Sequence, residues 1–267
     1  MIRVGARQMQ LQTLPYWDWT HWFDDNCIVN NPFYQEERLS KSDCEGCADI
    51  DEIEREEELT HDDMAQTFLL AYIPLIITDA IQDWKAYKIF DTEYVTKLFL
   101  EDPVLSAGTI CSFYNENVKH KYVKDVLRSI DNGTTTQWNM HWQNCMDTAR
   151  KTFRRFYSRP YCIPPMVEMM NSNWLFMSSG VNKQQLSKLP YVRSLDTGVS
   201  MTWFAQLKGS YEIKLKPHEI CEEDCEVMTA ILQPGELLVF SNIMWKFEFR
   251  VASEKDVIAI AANGNWD

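Results

Sequence analysis

After Asn173 the chain breaks into short β segments, at 174–178, 200–207, 211–215, 227–232, 236–240, 245–251 and 256–261. Gly209-Ser210 and Pro234-Gly235 stand between them as turns, glycine because it accepts positive φ and proline because its φ is already set. Many short strands at this spacing predict a sandwich or jelly roll. The expected class is therefore α+β, mainly β, with the helices at the N-terminal side and on the flanks.

Upstream the periodicity is helical. Thr60 is a candidate N-cap, followed by acidic residues and by Met64, Phe68 and Tyr72 on one face. Pro74 ends that helix, and 73–78 reads as a buried strand. Further helices are expected at 92–100 and within 145–157, where Met146, Ala149, Phe153 and Phe156 share a face. Residues 1–58 differ in texture. They hold an aromatic cluster at 15–23, expected to wrap as an arm because exposed tryptophans would form a costly apolar patch. An acidic stretch at 49–58 reads as a solvated linker. The organisation expected is an arm and linker over 1–58 and a β-rich domain over 59–267.

The 267 residues suffice for a sizeable core, and a net charge of -13 argues against nucleic acid or an anionic membrane surface as partner. No apolar run reaches the ~18–20 residues that span a bilayer. The longest, 68–78, is interrupted by Pro74. Residues 1–14 lack the apolar centre of a signal peptide, so either the protein is cytoplasmic or a preceding segment is removed or omitted.

Eight cysteines bear on that choice. Cys44 and Cys47 form one close pair, Cys221 and Cys225 another, and the two pairs are about 170 residues apart. Such pairs can make a zinc site. Disulfides in an oxidising compartment are the favoured reading, with connectivity open, ahead of zinc and of free buried thiols. Asn132-Gly133-Thr134 is a glycosylation sequon in an expected turn. A secreted or luminal protein is favoured, with a cytoplasmic one as the alternative.

Several segments resemble the JmjC/cupin-like oxygenases, the Fe(II)/2-oxoglutarate type, in the invertebrate branch that carries cysteines after its central strands. The resemblance covers about three quarters of the chain, from Leu59 onward. Ile73-Pro74-Leu75-Ile76-Ile77-Thr78, followed by Trp84, is similar to the family's opening strand. Arg159-Pro160-Tyr161-Cys162-Ile163-Pro164 and Trp174-Leu175-Phe176-Met177 are similar to segments before the metal-binding strand. Trp203-Phe204-Ala205-Gln206-Leu207-Lys208-Gly209-Ser210 carries the most specific likeness. Pro217-His218-Glu219-Ile220-Cys221 with Cys225, and Gln233-Pro234-Gly235-Glu236, follow in the family's order. The resemblance implies a double-stranded β-helix, and dimerisation is frequent among such proteins.

Active members hold Fe(II) with a His-x-Asp/Glu pair and a distant His, leaving positions open for 2-oxoglutarate and O2. The window from Gly180 to Trp203 has no histidine, and its best match puts Tyr191 and Arg193 in the first two ligand positions. Lys246 or Phe247 stands where the distal histidine is expected, and Tyr211 where a cosubstrate lysine is usual. Asp196 is a lone carboxylate under a shifted alignment. None of His21, His61, His120, His141 and His218 lies on an expected inner strand at ligand spacing; His218 reads as a turn residue and His141 as packed or surface.

The expectation is a catalytically inactive domain that binds or scaffolds, with no cofactor. Its partner would be a protein, or a small anionic ligand held by Arg193 and Lys246 beside Tyr191 and Tyr211. The alternative is an Fe(II)/2-oxoglutarate-dependent hydroxylase or demethylase with a rearranged metal site. A third reading is a disulfide-stapled partner-binding domain that uses the aromatic segment 17–23 as its interface.

Overall fold

The computed structural model describes residues 39–116, 118–186, 188–193 and 201–266, with Gln12 besides. The main compact unit runs from Leu39 to Asp267; the aromatic segment 17–23 and Cys27 lie outside the described residues. Its strands are β1 (Glu54–Glu56), β2 (Leu75–Ile77), β3 (Ile110–Glu116), β4 (Asn139–Asn144), β5 (Glu168–Met169), β6 (Asn173–Ser178), β7 (Val192–Arg193), β8 (Met201–Lys208), β9 (Tyr211–Pro217), β10 (Met228–Leu232), β11 (Leu237–Ser241), β12 (Trp245–Val251) and β13 (Val257–Asn265).

They make two sheets. The larger runs β1-β2-β11-β8-β13-β6-β4-β3, with β5 also on β13, and the smaller runs β10-β9-β12-β7. Apart from the parallel β1–β2 pair, neighbouring strands are antiparallel. The protein is mostly β with few helices, consistent with a β-sandwich of the jelly-roll kind.

Burial along the strands shows how the layers stack. In β9 and β12 buried and half-buried residues alternate along the whole strand, so the smaller sheet has one packed face and one wet face. In β6, β8, β11 and β13 nearly every residue is buried. The larger sheet is covered on both sides. Phe176, Phe204, Leu238, Phe240, Ala259 and Ala261 pack toward Tyr211, Leu215, Phe247 and Phe249 of the smaller sheet. Trp203, Ala205, Leu237, Val239, Ile258 and Ile260 pack with the helical side, including Trp84, Phe90, Val95, Phe99, Leu127 and Phe153.

The helices form where local chemistry permits. Thr60 caps His61–Asp63 by accepting from the Asp63 amide at 3.1 Å, and Met64–Leu69 continues as a π-helix before Pro74. Asp91 caps Thr92–Glu101 through the Tyr94 amide at 2.7 Å. Asp102 caps Pro103–Ala107 with two amides at 2.9 Å, and Pro103 sits where a missing N–H costs nothing.

Three features differ from the sequence expectation. The first helix ends at Leu69, and Tyr72, expected on its face, follows it with φ +57. Within the acidic stretch read as linker, Glu54–Glu56 is an edge strand, held by Arg55, whose Nε donates to Glu236 Oε1 at 2.8 Å. Strands β3 and β4 also escaped pattern reading. Asn139–Asn144 is mostly buried with both faces covered, so its polar residues Asn139, His141 and Gln143 do not mark a wet face and no apolar run announces it.

Gly180 illustrates the closeness of the packing. A Cβ there would collide with the backbone carbonyl of Glu254, which cannot rotate away. Gly133, by contrast, has φ +66 but open space around it. Gly180→Ala is expected to lower unfolding free energy by ~3 kcal/mol, and Gly133→Ala by ~1 kcal/mol through backbone strain alone. Urea midpoints at unchanged slope would show the ranking; equal losses would contradict it.

Candidate functional site

The residues singled out by sequence divide between the two faces of the smaller sheet. Strand alternation decides this. Along β9, Tyr211, Ile213 and Leu215 are buried while Glu212, Lys214 and Lys216 are half-exposed; along β12, Phe247 and Phe249 are buried while Lys246, Glu248 and Arg250 are not.

On the wet face, charges are paired across strands. Arg250 donates to both carboxylate oxygens of Glu212, Nε at 2.9 Å and Nη2 at 2.8 Å. Lys216 donates to Glu248 at 2.7 Å and Lys246 to Glu219 at 2.9 Å. The Tyr191 ring lies under two cations, 4.1 Å from Lys214 Nζ and 4.5 Å from Arg250 Cζ, while its hydroxyl donates to Glu212. Burial, then that hydrogen bond, pushes the Tyr191 phenol up to about 12. Arg193 stands opposite Glu248 in the β7–β12 register.

On the packed face there are rings. Phe247 stacks on Phe240 at 5.1 Å and meets Phe204 at 5.3 Å. Phe249 packs edge-on to Phe176 at 5.3 Å and to Tyr211 at 5.1 Å. Tyr211 is fully buried, and burial raises its phenol far above the ordinary range. A polar chain leads from it toward the half-exposed edge at β3. Tyr211 and Ser178 hydroxyls are 2.9 Å apart, Ser178 donates to Asn139 at 2.6 Å, and Asn139 donates to Glu116 at 3.2 Å, which also accepts from Tyr114.

The structure thus does not bring Tyr191, Tyr211 and Lys246 together. Tyr211 and Phe247 belong to the interior, Tyr191 and Lys246 to the outer face, where Lys216, Lys246 and Arg250 already have carboxylate partners and Lys214 sits over the Tyr191 ring. A shared anion pocket lined by Lys246 and Tyr211 is not what this arrangement makes. Asp196 lies outside the described residues. His218 is half-buried, and its Nδ1 accepts from the Ile220 amide at 3.4 Å.

Of the two positions the sequence left open for His141, packed or surface, the structure takes the packed one, on a strand that was not expected. His141 is 6% exposed and stacks between Tyr114 and Phe176, each at 5.0 Å. Its Nδ1 has no hydrogen-bond partner among the described residues. The sequence signal was Trp142 beside it and the covered strand around it, neither of which distinguishes the two faces. The motif Trp203 to Ser210 is also structural. Trp203 packs on Trp84 at 5.6 Å and Tyr157 at 5.7 Å. The Gln206 amide donates to the Lys208 and Gly209 carbonyls at 2.8 and 3.2 Å, beside the register shift between β8 and β13.

Cysteines form the other notable cluster. Cys44 is bonded to Cys221, Cys47 to Cys225 and Cys111 to Cys145. Cys162 is free and buried, and burial pushes its thiol up to about 12, which makes it a poor nucleophile. Among the described residues, the only three or more His, Cys, Asp or Glu side chains whose ligand atoms gather within 4.8 Å are Cys47, Cys221 and Cys225, here all held in disulfides. Asn132 ends the helix Val123–Asp131 at an exposed turn. No helix among the described residues is long and apolar enough to cross a membrane.

No family model and no curated protein matches the sequence. Among solved structures the chain is similar to a single-substitution variant of oxalate decarboxylase from Bacillus subtilis, with TM-score 0.29 and 7% identity over 48% of this chain. The match takes in 26% of that chain's length. At that level the likeness adds nothing to the sheet geometry.

Burial pushes the His141 imidazole down from 6.5 to about 4. The unfolded chain takes up this proton as pH falls through 6.5, whereas the folded chain resists it until about 4. Stability that is intact above pH 6.5 is therefore lost between those values, by about 3 kcal/mol. His141→Phe removes that component and leaves no orphaned nitrogen. Its urea midpoint should fall less than the wild type's between pH 7 and 4.5; identical declines would show that His141 protonates freely in the fold.

Proposed function

We propose that this chain is a JmjC/cupin-like double-stranded β-helix without oxygenase chemistry, acting as a binding or scaffolding domain in an oxidising compartment. The packing of Phe247 is the observation that carries the reading. Where the resemblance calls for a distal imidazole, the side chain is a phenyl ring locked between Phe204 and Phe240.

Fe(II) and 2-oxoglutarate, which the resemblance implies, do not fit the described residues. Lys246, the other residue aligned with the distal ligand, is an ammonium bonded to Glu219. Tyr211, aligned with the cosubstrate lysine, is a neutral phenol bonded to Ser178. His141 supplies one imidazole to the interior but stacks between two rings with no carboxylate completing a ligand group around it.

A protein partner is favoured over a small anion, because the outer cations Arg250, Lys216 and Lys246 are each neutralised by a carboxylate. Exposed Val227 and Ile231 flank and occupy the edge strand β10 and give a partner apolar contact area. The disulfides support an oxidising environment, and the exposed Asn132 turn is accessible for glycosylation.

The test is anaerobic titration of the disulfide-intact protein with Fe(II) or Mn(II), with and without 2-oxoglutarate, followed by melting temperature and metal analysis. The expected result is no stoichiometric metal and no synergistic stabilisation. One metal per chain, further stabilised by 2-oxoglutarate, overturns the reading and points to the hydroxylase alternative.

A further inference from the structure

Four cysteine sulfurs from two distant parts of the chain meet in one buried place. Cys44 lies in the 3-10 helix Lys41–Gly46 and Cys47 closes it, its amide donating to the Cys44 carbonyl at 3.2 Å. Cys221 ends Glu219–Cys221, and the Cys225 amide donates to its carbonyl at 2.9 Å. Each pair is thus carried on one tight turn that presents both sulfurs to the other turn. All four residues are at most 5% exposed.

The two disulfides cross between the turns rather than closing within them, and they lie side by side. The sulfurs of Cys47, Cys221 and Cys225 are all within 4.8 Å of one another, and Cys44 is bonded to Cys221. Thiolates about 2.3 Å from a tetrahedral zinc ion stand about 3.8 Å apart. The Cys44 sulfur lies outside that group of three, so a four-sulfur arrangement requires it to rotate toward them once the S–S bonds are opened. The spacing within each turn, two residues and three, is also that of zinc-binding pairs.

We propose that this cluster is a redox-switched metal site, two disulfides when oxidised and a four-cysteine Zn(II) centre when reduced. Each disulfide takes two electrons and two protons from a dithiol reductant, which leaves as its own disulfide. The four thiols then release four protons as they bind Zn(II), giving a tetrathiolate of net charge −2. The neighbouring acidic residues Glu45, Glu222, Glu223 and Asp224 disfavour isolated thiolates, but a bound dication deprotonates its thiols outright. Lys41 already takes up Asp224 and Glu223. Met244, whose sulfur is 3.9 Å from that of Cys47, adds a soft, apolar wall. In either state the segment around Cys44 stays tied to the β9–β10 connection, so reduction in the presence of zinc exchanges one staple for another.

The experiment uses the full chain, reduced anaerobically with dithiothreitol, freed of reductant and titrated with Co(II) and then Zn(II). One Co(II) per chain with the intense visible absorption of a tetrahedral tetrathiolate, displaced by one equivalent of Zn(II), is expected. The oxidised chain should give neither. Cys111→Ser/Cys145→Ser should retain the signal, and Cys47→Ser/Cys225→Ser should lose it. The proposal is overturned if reduced wild-type chain takes up no stoichiometric metal, if the signal persists in Cys47→Ser/Cys225→Ser, or if the cluster stays oxidised in excess dithiothreitol. The wild-type readout does not depend on whether any variant folds.

Discussion

The central strands of the larger sheet are covered on both faces, and the rest of the structure depends on that. β8 and β13 pair over seven register positions, with helices on one side and the smaller sheet on the other. A doubly covered strand needs apolar residues at every position, and two such strands side by side need some of them small. Ala205, Ala259, Ala261 and Ala262 meet that requirement, leaving room for Trp203 on one face and Phe204 and Phe249 on the other. The buried polar residues on these strands find partners: Thr202 donates to Asn263 at 3.0 Å, and the Gln206 amide nitrogen bonds carbonyls beside the register shift, where the backbone ladder alone would leave them short of donors.

The same constraint shapes the space where chemistry would otherwise occur. A sandwich can keep a pocket between its sheets only if the inward residues leave one. Here the inward residues of β9 and β12 are Tyr211, Ile213, Leu215, Phe247 and Phe249, and their rings interlock with Phe176, Phe204 and Phe240. Part of the polarity that remains is organised as a chain from Tyr211 through Ser178 and Asn139 to Glu116, and Asn242, Thr202 and Asn263 bond one another separately. That chain satisfies a buried phenol rather than presenting donors to a ligand. His141 stands outside it, with Nδ1 unsatisfied, which is why its cost is expressed in stability at low pH.

Those constraints explain what was legible in the sequence. Segments with one wet face were read well: the strand expected at 245–251 is Trp245–Val251, and 92–100 is the helix Thr92–Glu101. Turns set by Pro234-Gly235 and Gly209 were legible because their φ values, +103 and +58 at the glycines, demand those residues. Asn139–Asn144 was not, since it lacks the apolar run that marked the other doubly covered strands at 174–178, 200–207, 236–240 and 256–261: His141 and Asn144 within it are buried polar residues. Nor was Glu54–Glu56, because its place is fixed by a parallel partner and by Arg55 reaching Glu236, not by its own composition. For the site, chemistry at single positions could be read, but not facing. A one-residue step separates Lys246 on the wet face from Phe247 in the core, and motif matching alone leaves that step open.

The cysteines show how long-range order can compensate for a weak local signal. Three residues of β1 against β2, at the sheet's edge, are too few to hold the segment before them. The Cys44–Cys221 bond spans 177 residues and removes about 5 kcal/mol of loop entropy from the unfolded chain in the entropic model. With that bond in place, Cys47–Cys225 closes only the short ring between the two turns and is worth about half as much. The second bond is therefore poorly explained as a further gain in global stability. Its effect is local: it fixes the mutual orientation of the two turns, and it keeps four sulfurs together where one cross-link would have sufficed to tether the chain.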